Sequence, residues 1–212
     1  MIKAGRVFSL LQSYPPIPGC TVSGELISGV RCFSMASGTD ISAESYPIPT
    51  LMLGLSGETV LTGEGGAVPV CPGSAVIRAA DKNTAVSSGT DSVYIEADIG
   101  KEHRMNSIVK TGEVFKLAEL VPYQEGKIVN MDVVSGKTMK FVVMSFDAGC
   151  ALSEHAAPGE AVIFALDGEG VIGYEGAEHP IKAGENFVFA KGGRHSVKAK
   201  GRFKMALLLT LG

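Results

Sequence analysis

Two histidines carry most of the chemical potential of this chain: His155 in "LSEHAAPGEA" (152–161) and His195 in "GGRHSVKA" (192–199). Neutral imidazoles are good ligands for first-row metals, and two of them with one carboxylate can form a facial triad with open positions. Glu160 is the carboxylate that such a set would use. It lies five residues after His155, and in a regular strand an odd separation turns side chains to opposite faces. Pro158 and Gly159 would have to distort the chain to bring Glu160 inward; otherwise it is a solvated turn residue. The expected metal set is therefore His155, His195 and Glu160, holding one divalent transition metal (Zn, Ni, Fe or Mn). The alternative is a metal-free pocket in which the two histidines hydrogen-bond a small ligand. The other histidines, His103 and His179, are expected to be exposed. Cys150 is the thiol nearest a histidine, but its odd separation from His155 points it away. With no C-x-x-C pair, Cys20, Cys32, Cys71 and Cys150 read as small buried hydrophobes.

Residues so far apart in sequence act together only if the fold joins them. The chain is written twice. "IKAGRVFSL" at 2–10 returns as "VKTGEVFKL" at 109–117, and "LSGETVLTGEGGAVPVCPGS" at 55–74 returns as "LDGEGVIGYEGAEHPIKAGE" at 166–185. The second block pairs Gly57 with Gly168, Gly65 with Gly176, Pro69 with Pro180 and Gly73 with Gly184, an offset of 111. Each copy consists of short runs rich in Val, Ile and Phe, broken by glycine turns, such as "VVMSFDAG", "ENFVFAKGG" and "RFKMALLLTL". "VFKLAEL" at 114–120 reads as one short helix. Without long helices alternating with strands, the pattern predicts an all-β sandwich or barrel in each copy. The polar joint "GKEHRMNS" divides the chain into domains 1–102 and 108–212.

The second half resembles a cupin domain, and the whole chain resembles a bacterial two-domain cupin. The first cupin motif, G-x5-H-x-H-x3,4-E-x6-G, begins at Gly149, places His155 at its first histidine and ends at Gly168. The second, G-x5-P-x-G-x2-H-x3-N, begins at Gly184, keeps Gly192 and places His195 at its histidine. The resemblance implies two jelly-roll barrels in tandem, with the histidines inward in the second. Ala157, Ala161, Ala190 and Ala199 stand where the motifs have histidine, glutamate, proline and asparagine. In the first copy the positions of His155, Ala157, Glu160 and His195 are taken by Glu44, Tyr46, Pro49 and Thr84. Any metal or catalytic site is thus expected in the second barrel, and the first is expected to be structural.

Composition limits the function classes. The net charge of −3, with no long basic cluster, argues against a nucleic-acid binder. Runs such as "AVIFAL" are far too short to span a bilayer, and the opening residues lack a signal peptide's pattern, so a cytoplasmic protein is expected. Gly168-Glu-Gly170-Val-Ile-Gly173 fits G-x-G-x-x-G, but no helix pattern follows, and "MDVVSGKT" at 131–138 lacks the first glycine of a phosphate loop. Both read as hairpins. The expected function is binding of a small molecule, with Phe187, Phe189 and Met205 lining the pocket. The alternatives are a metal-dependent oxygenase, isomerase or decarboxylase, and a structural barrel with relic histidines. A homodimer is a candidate assembly.

Overall fold

From Arg194 to Lys200 burial alternates residue by residue. His195, Val197 and Ala199 turn inward, while Arg194, Lys198 and Lys200 face solvent. This period of two is what a strand with one covered face requires. The same pattern recurs through most of the chain, and strands dominate the computed structural model, which describes residues 2–211. Two units emerge, Leu10–Lys116 and Ile2–Ser9 with the chain from Leu117 onward.

The first unit is a jelly roll of two antiparallel sheets. The larger holds, in spatial order, Phe115–Lys116, Ser74–Arg78, Thr50–Ser56, Ser92–Asp98, Val30–Met35 and Thr21–Ile27. The smaller holds Thr39–Ser45, Asn83–Ser88, Thr59–Gly63 and Gly66–Val70. Met35, Met52, Leu61, Val70, Val76, Val86 and Tyr94 form the core.

The second unit repeats this plan with longer strands. Glu160–Tyr174 does the work of Thr50–Ser56 and Thr59–Gly63 together, and Arg194–Thr210 that of Asn83–Ser88 and Ser92–Asp98. Register shifts near Ala165/Asp167 and Gly168/Gly170 bend these strands through both layers of the barrel. The bend needs glycine: Gly168 has φ +72°, and a Cβ there would run into the Arg202 carbonyl oxygen. Its repeat partner Gly57 has φ +63° and would likewise meet the Asp91 carbonyl oxygen. Phe146, Ile163, Phe187, Phe189, Phe203 and Met205 fill the core.

The repeat's opening segments are exchanged. Val7 and Phe8 pair with Phe187 and Asn186 in the second unit, whereas Phe115 and Lys116 pair with Ala75 and Ser74 in the first. The expected divide at 102–108 is displaced accordingly, because residues 109–116 close the first unit and residues 2–9 the second. The expected helix at 114–120 shrinks to a strand at Phe115–Lys116 and a 3₁₀ turn at Leu117–Glu119, since strand pairing claims its first residues. Gly168–Gly173 lies inside the strand Glu160–Tyr174, and 131–138 runs into the hairpin turn joining Ile128–Gly136 to Met139–Phe146. Of the cysteines only Cys32 is buried, and burial pushes its thiol up to about 12; Cys71 and Cys150 are half-buried and Cys20 is exposed. No described helix is long and apolar enough to cross a membrane.

Candidate functional site

The strands Ala151–Ala156 and Arg194–Thr210 run antiparallel, and their register sets His155 directly opposite His195. The ring centroids are 4.2 Å apart at an interplanar angle of 53°. His155 is exposed, whereas His195 is 6% exposed, so the pair leads from solvent into the core. Aromatic rings continue the line inward. His195 stacks on Phe189 at 4.0 Å, Phe189 meets Phe187 at 5.2 Å, and Phe187 meets His179 at 5.2 Å. Tyr174 touches both phenylalanines, and its hydroxyl accepts a hydrogen bond from the Ala190 N–H at 3.3 Å.

Backbone carbonyls fix the tautomer of both rings. His155 Nδ1 lies 2.9 Å from the Ser153 carbonyl oxygen and His195 Nδ1 lies 3.2 Å from that of Gly193. A carbonyl only accepts, so in each neutral ring Nδ1 carries the proton and Nε2 keeps its lone pair. Burial holds the His195 imidazole below its ordinary range. The Gly193 carbonyl opposes that shift, and His155 adds to it. Beside the pair, Arg194 donates from Nε and Nη2 to Glu154 Oε1 at 2.9 and 2.7 Å, so Glu154 is engaged on the outer face.

Glu160 stands elsewhere. It begins the strand Glu160–Tyr174, pairs in register with Thr210, and its carbonyl oxygen accepts from the Thr210 hydroxyl at 3.3 Å. Among the described residues, no group of three or more His, Cys, Asp or Glu side chains is placed to hold a metal ion. The reason is local. Ala157 and Ala161 occupy the positions where the two other motif ligands would stand, and both are packed in the apolar core. Two imidazoles are assembled, and the three-ligand set of His155, His195 and Glu160 is not.

Phe187, Phe189 and Met205 were expected as pocket lining and are core residues instead, with Phe189 the one that reaches His195. His179 and His103, expected exposed, are half-buried. His179 packs on Phe187, and His103 Nδ1 lies 2.8 Å from the Gly100 carbonyl oxygen. Sequence reasoning passed over Tyr174, although its separation of two from Ile172 in an alternating strand places it inward. A cleft of about 490 Å³ in this unit is lined by Ala151, Val171, Gly173, Ser196, Lys198 and Lys200 among others. Ser196 and Lys198 alternate with His195, so this cleft occupies the other face of the same sheet.

Residues 142–211 match the family model described as "Cupin domain". Over 99% of this chain and 98% of the other, the fold matches a cupin 2 conserved barrel domain protein from Leptotrichia buccalis, with a TM-score of 0.86 and 26% identity. Protein Ylba from E. coli matches with a TM-score of 0.66 and 14% identity, over 99% of this chain and 93% of that one. A salicylate 1,2-dioxygenase from Pseudaminobacter salicylatoxidans matches with a TM-score of 0.64 and 12% identity, over 86% of this chain and 71% of that one. The last two likenesses concern the fold alone. No curated protein sequence gives a significant match.

Proposed function

The C-terminal barrel of this chain belongs to the cupin superfamily, and on that premise we propose that it binds a small polar molecule at the His155–His195 pair. The observation that carries this reading is the orientation of the two rings. Each Nδ1 is tied to a backbone carbonyl, so Nε2 is left as the acceptor on two rings whose centroids are 4.2 Å apart, one ring exposed and one at the edge of the core. Such a pair suits a ligand that donates hydrogen bonds, a hydroxyl or amine group. The aromatic file behind His195 holds its ring in place.

The second reading is a divalent transition metal, because the same Nε2 lone pairs are the atoms that would coordinate it. His155 and His195 supply two donors. With Glu160 remote and Ala157 and Ala161 apolar, the remaining positions would fall to water or to the ligand itself. Two protein ligands are fewer than the three of an open catalytic centre, so no oxygenase, isomerase or decarboxylase step is assigned to these residues.

Native mass spectrometry and metal analysis of the tag-free protein test both readings. A bound small-molecule mass that is lost in His195→Ala, with no metal in stoichiometric amount, supports the first. Zinc or nickel near one per chain, lost in both His155→Ala and His195→Ala, supports the second. Identical ligand and metal content in the wild type and both variants would rule out the pair as the site and leave a structural barrel with relic histidines.

A further inference from the structure

The first unit, expected to be structural because it carries no histidine pair, has a buried polar cluster at the equivalent place. Thr84 lies opposite Glu44 in the pairing of Asn83–Ser88 with Thr39–Ser45, the same cross-strand relation that sets His195 opposite His155. On the larger sheet Arg78 is 5% exposed, and its Nη2 lies 3.0 Å from Oε1 of Glu96, itself 7% exposed. The two groups form an ion pair at hydrogen-bonding distance, with the N–H not aligned on the carboxylate oxygen. Arg78 Nε and Nη2 have no hydrogen-bond partner, nor do the Tyr94 hydroxyl and Thr84 Oγ1, all of them buried atoms. The guanidinium sits 4.9 Å over the Tyr46 ring, whose hydroxyl donates to Glu44 Oε2 at 2.6 Å.

Buried polar groups are normally satisfied, and a cluster of orphans beside a cavity calls for an explanation. Arg78 and Thr84 both line a pocket of about 240 Å³, and Leu61 and Val68 form part of its apolar wall. Its lining also takes in the hairpin turn at 63–66, Ala79 and Lys82 of the loop that follows Arg78, Asn83 at the start of its strand, and Thr111–Gly112. We propose that the N-terminal barrel binds a small monocarboxylate here, its carboxylate on Arg78 and its hydrocarbon part against Leu61 and Val68.

Charge and shape select this class. A planar guanidinium fork matches a carboxylate in geometry. Glu96 and Glu44 already stand near Arg78, so any anion is opposed there, and one negative charge is opposed less than the two of a dianion such as hydrogen phosphate. Lys82 at the rim adds no free cation, since its Nζ is 2.8 Å from Glu64 Oε2. Drug-sized ligands occupy roughly 300–1,000 Å³, so a pocket of about 240 Å³ fits a chain of a few carbons. The site uses no histidine and no metal, and it stands or falls independently of the His155–His195 reading.

Calorimetric and NMR titration of the full chain with acetate, propionate and butyrate tests the assignment, with inorganic phosphate as the competing anion. Saturable binding of at least one carboxylate is expected, weakened about tenfold or more by Arg78→Lys, which keeps the charge and loses the fork. Thr84→Val removes only a hydroxyl at the pocket wall and keeps the test readable if Arg78→Lys does not fold. It should weaken binding several-fold without loss of fold, and His195→Ala should leave binding unchanged. Absence of saturable binding would overturn the proposal. So would phosphate displacing the carboxylates, or binding that survives both Arg78→Lys and Thr84→Val and is lost in His195→Ala.

Discussion

His195 lies between Phe189 and His155 with its ring almost wholly covered, and that environment penalises the imidazolium. The linkage has a definite sign. The native state holds His195 below the free value of about 6.5, so below that pH the unfolded chain binds the extra proton more readily. The stability this group contributes is complete above pH 6.5 and declines as pH falls from there toward the lowered native value. Urea midpoints between pH 7.5 and 5 should fall more steeply for the wild type than for His195→Gln, and parallel profiles would show that His195 is not the group responsible. Arg78 and Glu96 carry the opposite kind of burial, two charges together. Replacing Glu96 alone by Gln leaves a buried guanidinium uncompensated and should cost about 3–5 kcal/mol in urea denaturation. Replacing both, as Arg78→Met with Glu96→Leu, should recover most of that loss. This pair is not legible in the sequence: Arg78 and Glu96 each lie two residues from a core residue, Val76 and Tyr94, but both strands are buried on both faces, so alternation does not tell which face turns into the barrel. Glu160 shows the converse. Its parity with His155 already argued against convergence, and the strand that begins at Glu160 holds it apart from the pair.

At the level of elements, the two glycines at offset 111 mark the same event in each barrel. Gly57 and Gly168 let a strand leave one sheet and enter the other, and both need a positive φ and an absent Cβ. Gly168→Ala should cost at least the ~1–3 kcal/mol of a strained backbone, with the collision against the Arg202 carbonyl in addition. Gly57→Ala should behave alike, whereas Gly201→Ala, where an added Cβ meets nothing within 4 Å, should be nearly neutral. Thermal denaturation of the three variants measures this, and equal losses at all three would contradict the assignment. The repeat made these turns legible, whereas the convergence of His155 and His195 was implied by the cupin resemblance and their direct cross-strand register is seen in the structure. The repeat did not reveal the short strand at Phe115–Lys116, since a two-residue pairing leaves no periodicity to read.

Over the whole molecule, each barrel borrows its edge strand from the segment that opens the other copy. Truncation of residues 1–9 should therefore loosen the second unit, not the first. Hydrogen exchange should speed up at Asn186–Phe189, which pair with Val7 and Phe8 and receive the Gly5 N–H at Val188, and stay unchanged at Ser74–Arg78. Faster exchange at Ser74–Arg78 alone would contradict the pairing. The same exchange has a consequence for biosynthesis. Residues 2–9 find their partners only after Asn186–Phe189 has been translated, so the first barrel, whose residues 10–116 precede them, must fold while that segment is still unpaired. Nascent chains arrested shortly after residue 116 has cleared the exit tunnel should already protect the first barrel from protease while residues 2–9 remain cleavable, so that segment locks only after the strand Asn186–Phe189 has emerged.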